Sequence, residues 1–81
     1  MKLSKQAVTA MRQAKAQFVN AELELQTGDV DRAYETNRGA YITLSSTEAI
    51  VRNTTGDALP KGYADVYTII EAQRERIGDK M

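Results

Sequence analysis

The sequence contains no cysteine and no histidine, and these absences remove much of the chemistry that proteins use. Without cysteine there can be neither a disulfide framework nor a thiolate zinc site. Without histidine the commonest general base and the commonest transition-metal ligand are missing. The pairs Ser45-Ser46 and Thr54-Thr55 have no activating base nearby in the sequence. We therefore expect no enzymatic activity, no cofactor and no metal ion.

Long apolar runs and proline are also scarce. No run approaches the roughly 18 apolar residues of a membrane span, and no apolar segment follows Met1–Ser4. The 81 residues are 42% hydrophobic and 27% charged, which argues for a folded chain and against disorder. A chain of this length supports one hydrophobic core. We expect a single domain over residues 1–81, in the cytoplasm and not bound to a membrane.

The few breaking residues divide the chain into helices. They predict three helices, over about residues 5–27, 30–54 and 60–77. Ser4 suits the N-cap of the first helix, and Gly28 suits the left-handed residue that ends it. Asp29 can then cap the second helix. Pro60 fits the first turn of the third helix, and Gly78 its end.

Small residues recur at a helical spacing in the first two helices. In the first helix alanine returns every seven residues, at Ala7, Ala14 and Ala21. The second helix repeats the spacing with Ala33, Ala40 and Thr47. A tight turn makes the two helices antiparallel, so we expect contacts near Phe18–Asn37, Ala14–Ala40 and Met11–Leu44. The sequence therefore predicts an all-α fold: an antiparallel, alanine-rich, coiled-coil-like hairpin with a third helix, together a three-helix bundle.

Small and turn-forming residues follow a fixed order around the first turn, at Ala21, Gly28, Asp29, Asp31, Ala33 and Ala40. This order resembles one tetratricopeptide-type helical hairpin, in a single copy over about residues 21–40. Glu24 and Asn37 stand where that family prefers large apolar side chains, and the second helix is longer than the family's. The resemblance implies a protein-binding module without catalysis. Any tight helical hairpin uses small residues, glycine and aspartate in the same way, so that alternative stays open.

The charges sum to zero but are unevenly placed. The first 20 residues carry four bases and no acid, whereas residues 21–36 carry five acids and one base. In an antiparallel hairpin the bases gather at the open end and the acids at the turn. We predict that one positive surface there binds an acidic face of a protein partner; its residues are Lys5, Arg12, Lys15 and Arg52. The alternative is that both ends are merely solvated.

Several apolar residues lie off the helix seam, and one third helix cannot cover them all. We expect Val19, Leu23 and Ile42 to contribute to a partner-binding or self-association surface, because exposed apolar patches mark interfaces. Asn37 stands within the apolar stripe itself. It could fix helix register or partner choice, or bond a neighbouring backbone group, or lie at the edge of the stripe.

These features favour a non-enzymatic protein–protein interaction module, such as a small adaptor, accessory subunit or inhibitor. We expect the partner to be another protein and the chain to form a homodimer through its uncovered apolar faces. One alternative is a nucleic-acid-binding accessory protein that uses the basic end. A net charge of zero and a pI near 6.2 argue against it. The other alternative is a structural component of a larger assembly.

Overall fold

The chain folds as three helices in the computed structural model, which describes residues 2–81. The helices are α1 (Lys5–Gln26), α2 (Val30–Ile50) and α3 (Tyr63–Lys80), and a π-helical turn, Val51–Thr55, continues α2. They pack side by side into a body of 43 × 16 × 16 Å. The predicted all-α three-helix bundle is confirmed.

The hairpin turn forms at the residues that predict it. The Ser4 hydroxyl accepts a hydrogen bond from the Ala7 N–H at 3.2 Å, which caps the first turn of α1. Gly28 takes a left-handed conformation with φ of +88°, and its N–H donates to the Leu25 carbonyl at 3.2 Å. Asp29 is the N-cap residue of α2, but its side chain makes no capping hydrogen bond. The chain therefore reverses over Thr27–Asp29.

The third helix begins and ends later than the sequence predicts. Pro60 is buried in a turn, and its carbonyl accepts a hydrogen bond from the Tyr63 N–H at 3.1 Å. The φ of Gly62 is +89°, whereas residues of an α-helix have a negative φ. Gly62 therefore lies outside the helix, and α3 starts at Tyr63. Gly78 does not adopt a positive φ, and α3 continues through it to Lys80. A glycine thus ends or precedes a helix where its φ is positive, as at Gly62, and can lie within a helix where its φ is not, as at Gly78.

The connection between α2 and α3 is attached to the residues that precede α1. The Ser4 N–H donates to the Ala58 carbonyl at 3.0 Å, and the Ala58 N–H donates to the Lys2 carbonyl at 2.9 Å. These two bonds form a short parallel bridge between Leu3 and Ala58. The loop is thereby held at the open end of the hairpin, where it directs the chain into α3.

Alanines form the seam between α1 and α2. Five of them have no solvent exposure: Ala7, Ala14, Ala21, Ala33 and Ala40. At the turn, Arg32 pairs with Glu24 at 3.0 Å. Midway along the helices, the Thr43 hydroxyl lies 3.5 Å from the Gln17 side-chain oxygen. The antiparallel hairpin is therefore closed along its length by side chains small enough for the two backbones to approach closely.

The third helix supplies the large apolar side chains that the hairpin lacks. Val66 and Ile70 are buried against Leu44 of α2 and against Val51. The Met11 and Phe18 side chains of α1 pack on the same cluster. Ala14, Ala40, Met11 and Leu44, which are predicted to meet across the hairpin, all belong to this core or contact it.

A buried amide joins all three helices. The Gln73 side chain has no solvent exposure, and its Nε2 donates to the Phe18 carbonyl of α1 and to Asn37 Oδ1 of α2, each at 3.0 Å. Asn37 Nδ2 donates in turn to the Ile70 carbonyl of α3 at 3.0 Å. We call Asn37 and Gln73 the amide node. Asn37 thus lies in the core and bonds across to another helix, not to a neighbouring backbone group of its own helix.

We expect Ala14→Leu to lower the free energy of unfolding by about 1–3 kcal/mol, because the seam has no room for three more carbon atoms. The control is Ala16→Leu, at an exposed position on the same helix. Urea denaturation followed by circular dichroism measures both. An Ala14→Leu protein as stable as the Ala16→Leu protein would contradict a close-packed seam.

We expect Gln73→Leu to destabilise by at least about 1–3 kcal/mol, because it leaves Asn37 Oδ1 buried without a donor. The double variant Asn37→Leu/Gln73→Leu removes both partners, so its loss should be smaller than the sum of the two single losses. The exposed residue Gln13, changed to Leu, should alter stability by no more than about 0.5 kcal/mol. If the double variant loses as much stability as the two single variants together, the side chains of Asn37 and Gln73 are not energetically coupled.

Candidate functional site

The solvent side of α1 brings together most of the residues predicted to bind a partner. Lys5, Arg12 and Val19 follow one another at intervals of seven, Leu23 is one turn later, and Lys15 lies between, so all share one side of the helix. Val19 is 52% exposed and Leu23 is 54% exposed. We call these five residues the outer face of α1. Within residues 2–81 none of its three bases forms an ion pair.

Arg52 lies elsewhere. Its guanidinium pairs with the Glu48 carboxylate at 2.9 Å, one helical turn back, and the two residues share a shallow depression with Tyr67. Lys5 lines a different depression, between α1 and α2, beside Thr47. The structure therefore does not join Arg52 to the outer face of α1. The i,i+4 spacing of Glu48 and Arg52 explains why its charge is satisfied locally.

The acids at the hairpin turn remain largely in solvent. Asp29, Asp31 and Glu35 are exposed, and among the acids around the turn Glu24 alone forms an ion pair within residues 2–81, with Arg32. Within the hairpin, the bases of α1 begin at the open end and these acids surround the turn.

The molecule as a whole is not divided into two poles, because Arg38 and Arg74 lie in the half nearer the turn and Asp65 lies at the start of α3, near the open end. Along α1 itself no acid lies in the first turn and no base in the last, an order that opposes the helix dipole.

Three tyrosines cluster between α2 and α3. The Tyr67 ring meets Tyr41 edge-on with centroids 5.4 Å apart, and Tyr63 edge-on at 5.8 Å. The Tyr67 hydroxyl donates to Glu48 Oε1 at 3.0 Å, and the Tyr63 hydroxyl donates to the Leu44 carbonyl. Burial, together with the negative charge of Glu48, raises the pKa of both phenols above the ordinary value of 10.0. Tyr63 and Tyr67 are therefore neutral at physiological pH, and the cluster holds α3 against the second half of α2.

Next to this cluster a cleft opens toward the hairpin turn. Its volume is about 240 Å³, and it lies between α2 and α3 with eight lining residues: Tyr34, Asn37, Arg38, Tyr41, Ile42, Ile70, Glu71 and Arg74. We call it the tyrosine cleft. Ile42, predicted to be a partner-binding residue, is 47% exposed at this cleft and not beside Val19 or Leu23.

Sequence reasoning did not identify the tyrosine cleft. A partial signal was present, because Tyr34, Arg38 and Tyr41 recur at helical spacing on α2, and Ile70 and Arg74 on α3. The spacing does not by itself show that these two rows enclose a cleft. That juxtaposition depends on where the amide node places α3.

Comparison with known proteins gives no relative, since no family model, curated protein or solved structure matches the chain. The resemblance of residues 21–40 to a tetratricopeptide-type hairpin therefore stays a prediction. Over residues 2–81, no helix combines the length and the apolar character needed to cross a membrane.

The raised pKa values of Tyr63 and Tyr67 predict how stability depends on alkaline pH. The folded protein favours the neutral phenols, so both tyrosines contribute to the free energy of unfolding. This contribution is complete below about pH 10, the pKa of an unfolded tyrosine, and is lost as the pH rises from there toward their higher pKa in the folded protein. Urea denaturation between about pH 8 and about pH 12 should show this fall. The fall in stability with pH should be shallower in Tyr67→Phe, because phenylalanine has no hydroxyl proton to lose at this position. Equal slopes for the variant and the original protein would contradict the assignment.

Proposed function

We propose that this chain is a non-enzymatic protein-interaction module of the cytoplasm, an adaptor, accessory subunit or inhibitor. It binds an acidic surface of another protein through the outer face of α1. One observation carries the proposal: three unpaired bases continue along one helix face into two large aliphatic side chains that are half in solvent. The opposite side of α1 is occupied by the alanine seam, whereas these five residues lie on the exposed part of the helix surface.

The two halves of the outer face contribute differently to binding. Covering the exposed parts of Val19 and Leu23 would contribute about 1 kcal/mol each, which is enough for an anchor but not for a stable complex alone. Lys5, Arg12 and Lys15 would supply attraction at a distance and speed the encounter with an acidic partner. Lys5 also lies in the first turn of α1, where the helix dipole disfavours positive charge, and an acidic partner would offset that cost.

A second copy of the chain is the next candidate partner. The observation in its favour is the placement of acids at the hairpin turn, where Asp29 and Asp31 are exposed. In an antiparallel pair of α1 helices, the bases of one copy would approach the turn of the other. Light scattering after size exclusion separates this dimer from a monomer and from a high-order structural assembly. Binding to generic DNA or RNA that weakens steeply with salt would instead favour the nucleic-acid alternative.

The partner can be captured by a photo-reactive amino acid placed at Val19, in extract of the native host, with the same group at the exposed Thr68 of α3 as control. We expect proteins that cross-link from Val19 and not from Thr68. Changing Lys5, Arg12 and Lys15 to Glu should leave the helical signal unchanged and lower the association rate of the captured partner. The reduction should shrink as salt is added, because screening shortens the reach of the charges.

The matched control changes three other exposed bases, Lys2, Lys61 and Lys80, to Glu, so the net charge changes equally. It should bind with an association rate closer to that of the original protein. If both triple variants slow binding equally, net charge alone is responsible and the outer face has no special part. If neither does at low salt, the proposal is wrong.

A further inference from the structure

We propose that the tyrosine cleft binds a small organic anion, with an aromatic or aliphatic body and a carboxylate-type head group. The proposal concerns α2 and α3 and is independent of partner binding by the outer face of α1. It depends on the shape of the cleft, on the charge at its rim and on the hydrogen-bonding capacity of its buried amide.

The walls of the tyrosine cleft suit an apolar body of limited size. Tyr34, Tyr41 and Ile42 of α2 face Ile70 of α3 across a volume of about 240 Å³. This volume is smaller than that of a site for a drug-sized ligand. The cleft is also more enclosed than the two depressions beside Lys5 and Arg52. A single ring or a short branched chain therefore fits it better than an extended peptide.

The rim of the tyrosine cleft carries two guanidinium groups from different helices. Arg38 belongs to α2 and Arg74 to α3, and neither forms an ion pair within the part of the chain that the structure describes. Glu71 also lines the cleft but pairs with neither arginine. An anion in the cleft can accept charge-assisted hydrogen bonds from guanidinium groups, and the two arginines outnumber the single carboxylate of Glu71. The head group is therefore negatively charged.

Asn37 adds a buried donor to the tyrosine cleft. The residue is 2% exposed, and its side-chain amide nitrogen carries two hydrogens. One is donated to the Ile70 carbonyl, and no second acceptor for that nitrogen is found within residues 2–81. Because Gln73 holds Asn37 Oδ1 in place, the orientation of the amide is already set. The orientation of this donor is thus set before a ligand oxygen approaches it, which lowers the cost of binding.

The test is an NMR titration of the ¹⁵N-labelled protein with phenylacetate at low ionic strength. Phenylacetamide, which has the same ring and no charge, is the ligand control. We expect saturable shifts of backbone amides around the cleft, at Tyr34, Asn37, Arg38, Tyr41, Ile70 and Arg74. Phenylacetamide should bind at least about tenfold more weakly, since it lacks the charge that both guanidinium groups recognise.

The double variant Arg38→Gln/Arg74→Gln should weaken phenylacetate binding by about tenfold or more while the spectrum of the core stays unchanged. Its matched control is Lys61→Gln/Lys80→Gln, which removes two positive charges at exposed positions outside the cleft and should bind as the original protein does. Shifts scattered over the surface, or equal affinity for the two ligands, would overturn the proposal. So would inorganic phosphate binding at the same amides as tightly as phenylacetate, because the apolar walls would then play no part.

Discussion

The position of α3 depends on one buried amide. Gln73 Nε2 contacts a backbone carbonyl of α1 and a side chain of α2, residues that lie 55 and 36 positions away in the chain. A buried amide is costly unless its hydrogen bonds are made, so an arrangement that buries Gln73 in the core must also bring acceptors such as those of Phe18 and Asn37 beside it. Arg76 closes the remaining side by donating to Gln73 Oε1 at 3.3 Å. The node therefore selects one register of α3 against the hairpin.

This requirement follows from the composition of the hairpin. Alanine side chains let α1 and α2 approach closely, but each buries little apolar surface, and the large buried side chains come mostly from α3 and the second half of α2. A surface of small residues also offers few knobs and holes, so side-chain packing alone does little to determine the register and rotation of a third helix on it. Directional hydrogen bonds determine them instead. Once α3 is in place, the tyrosine cleft remains open between α2 and α3, and Val19 and Leu23 on the outer face of α1 remain about half exposed to solvent.

Much of the fold was predictable because local chemistry determines it. Ser4 and Gly28 set the limits of α1, and the seven-residue alanine spacing predicted the hairpin. The exposure of Val19 and Leu23 also followed from their positions off the seam. The start of α3 was not predictable in the same way, since the left-handed conformation of Gly62 is one of several that glycine adopts equally well.

The parts that escaped prediction depend on contacts between distant residues. A glutamine within an apolar stripe, such as Gln73, carries no signal of its own until its partners on other helices are known. The tyrosine cleft was not predicted for the same reason. Its two walls come from different helices, and the amide node determines the relative rotation of these helices. Arg52 is different. Its partner Glu48 stands four residues earlier, so its separation from the basic surface could have been read from the i,i+4 spacing.

The most direct test of whether Gln73 joins the three helices is an NMR study of its side-chain amide in solution. If Gln73 joins the three helices, its amide protons exchange slowly with solvent and show nuclear Overhauser effects to Phe18 and to Asn37. If they exchange as fast as those of the exposed Gln13 and show no contact with α1 or α2, then α3 is held by apolar packing alone, and the central role of the amide node is contradicted.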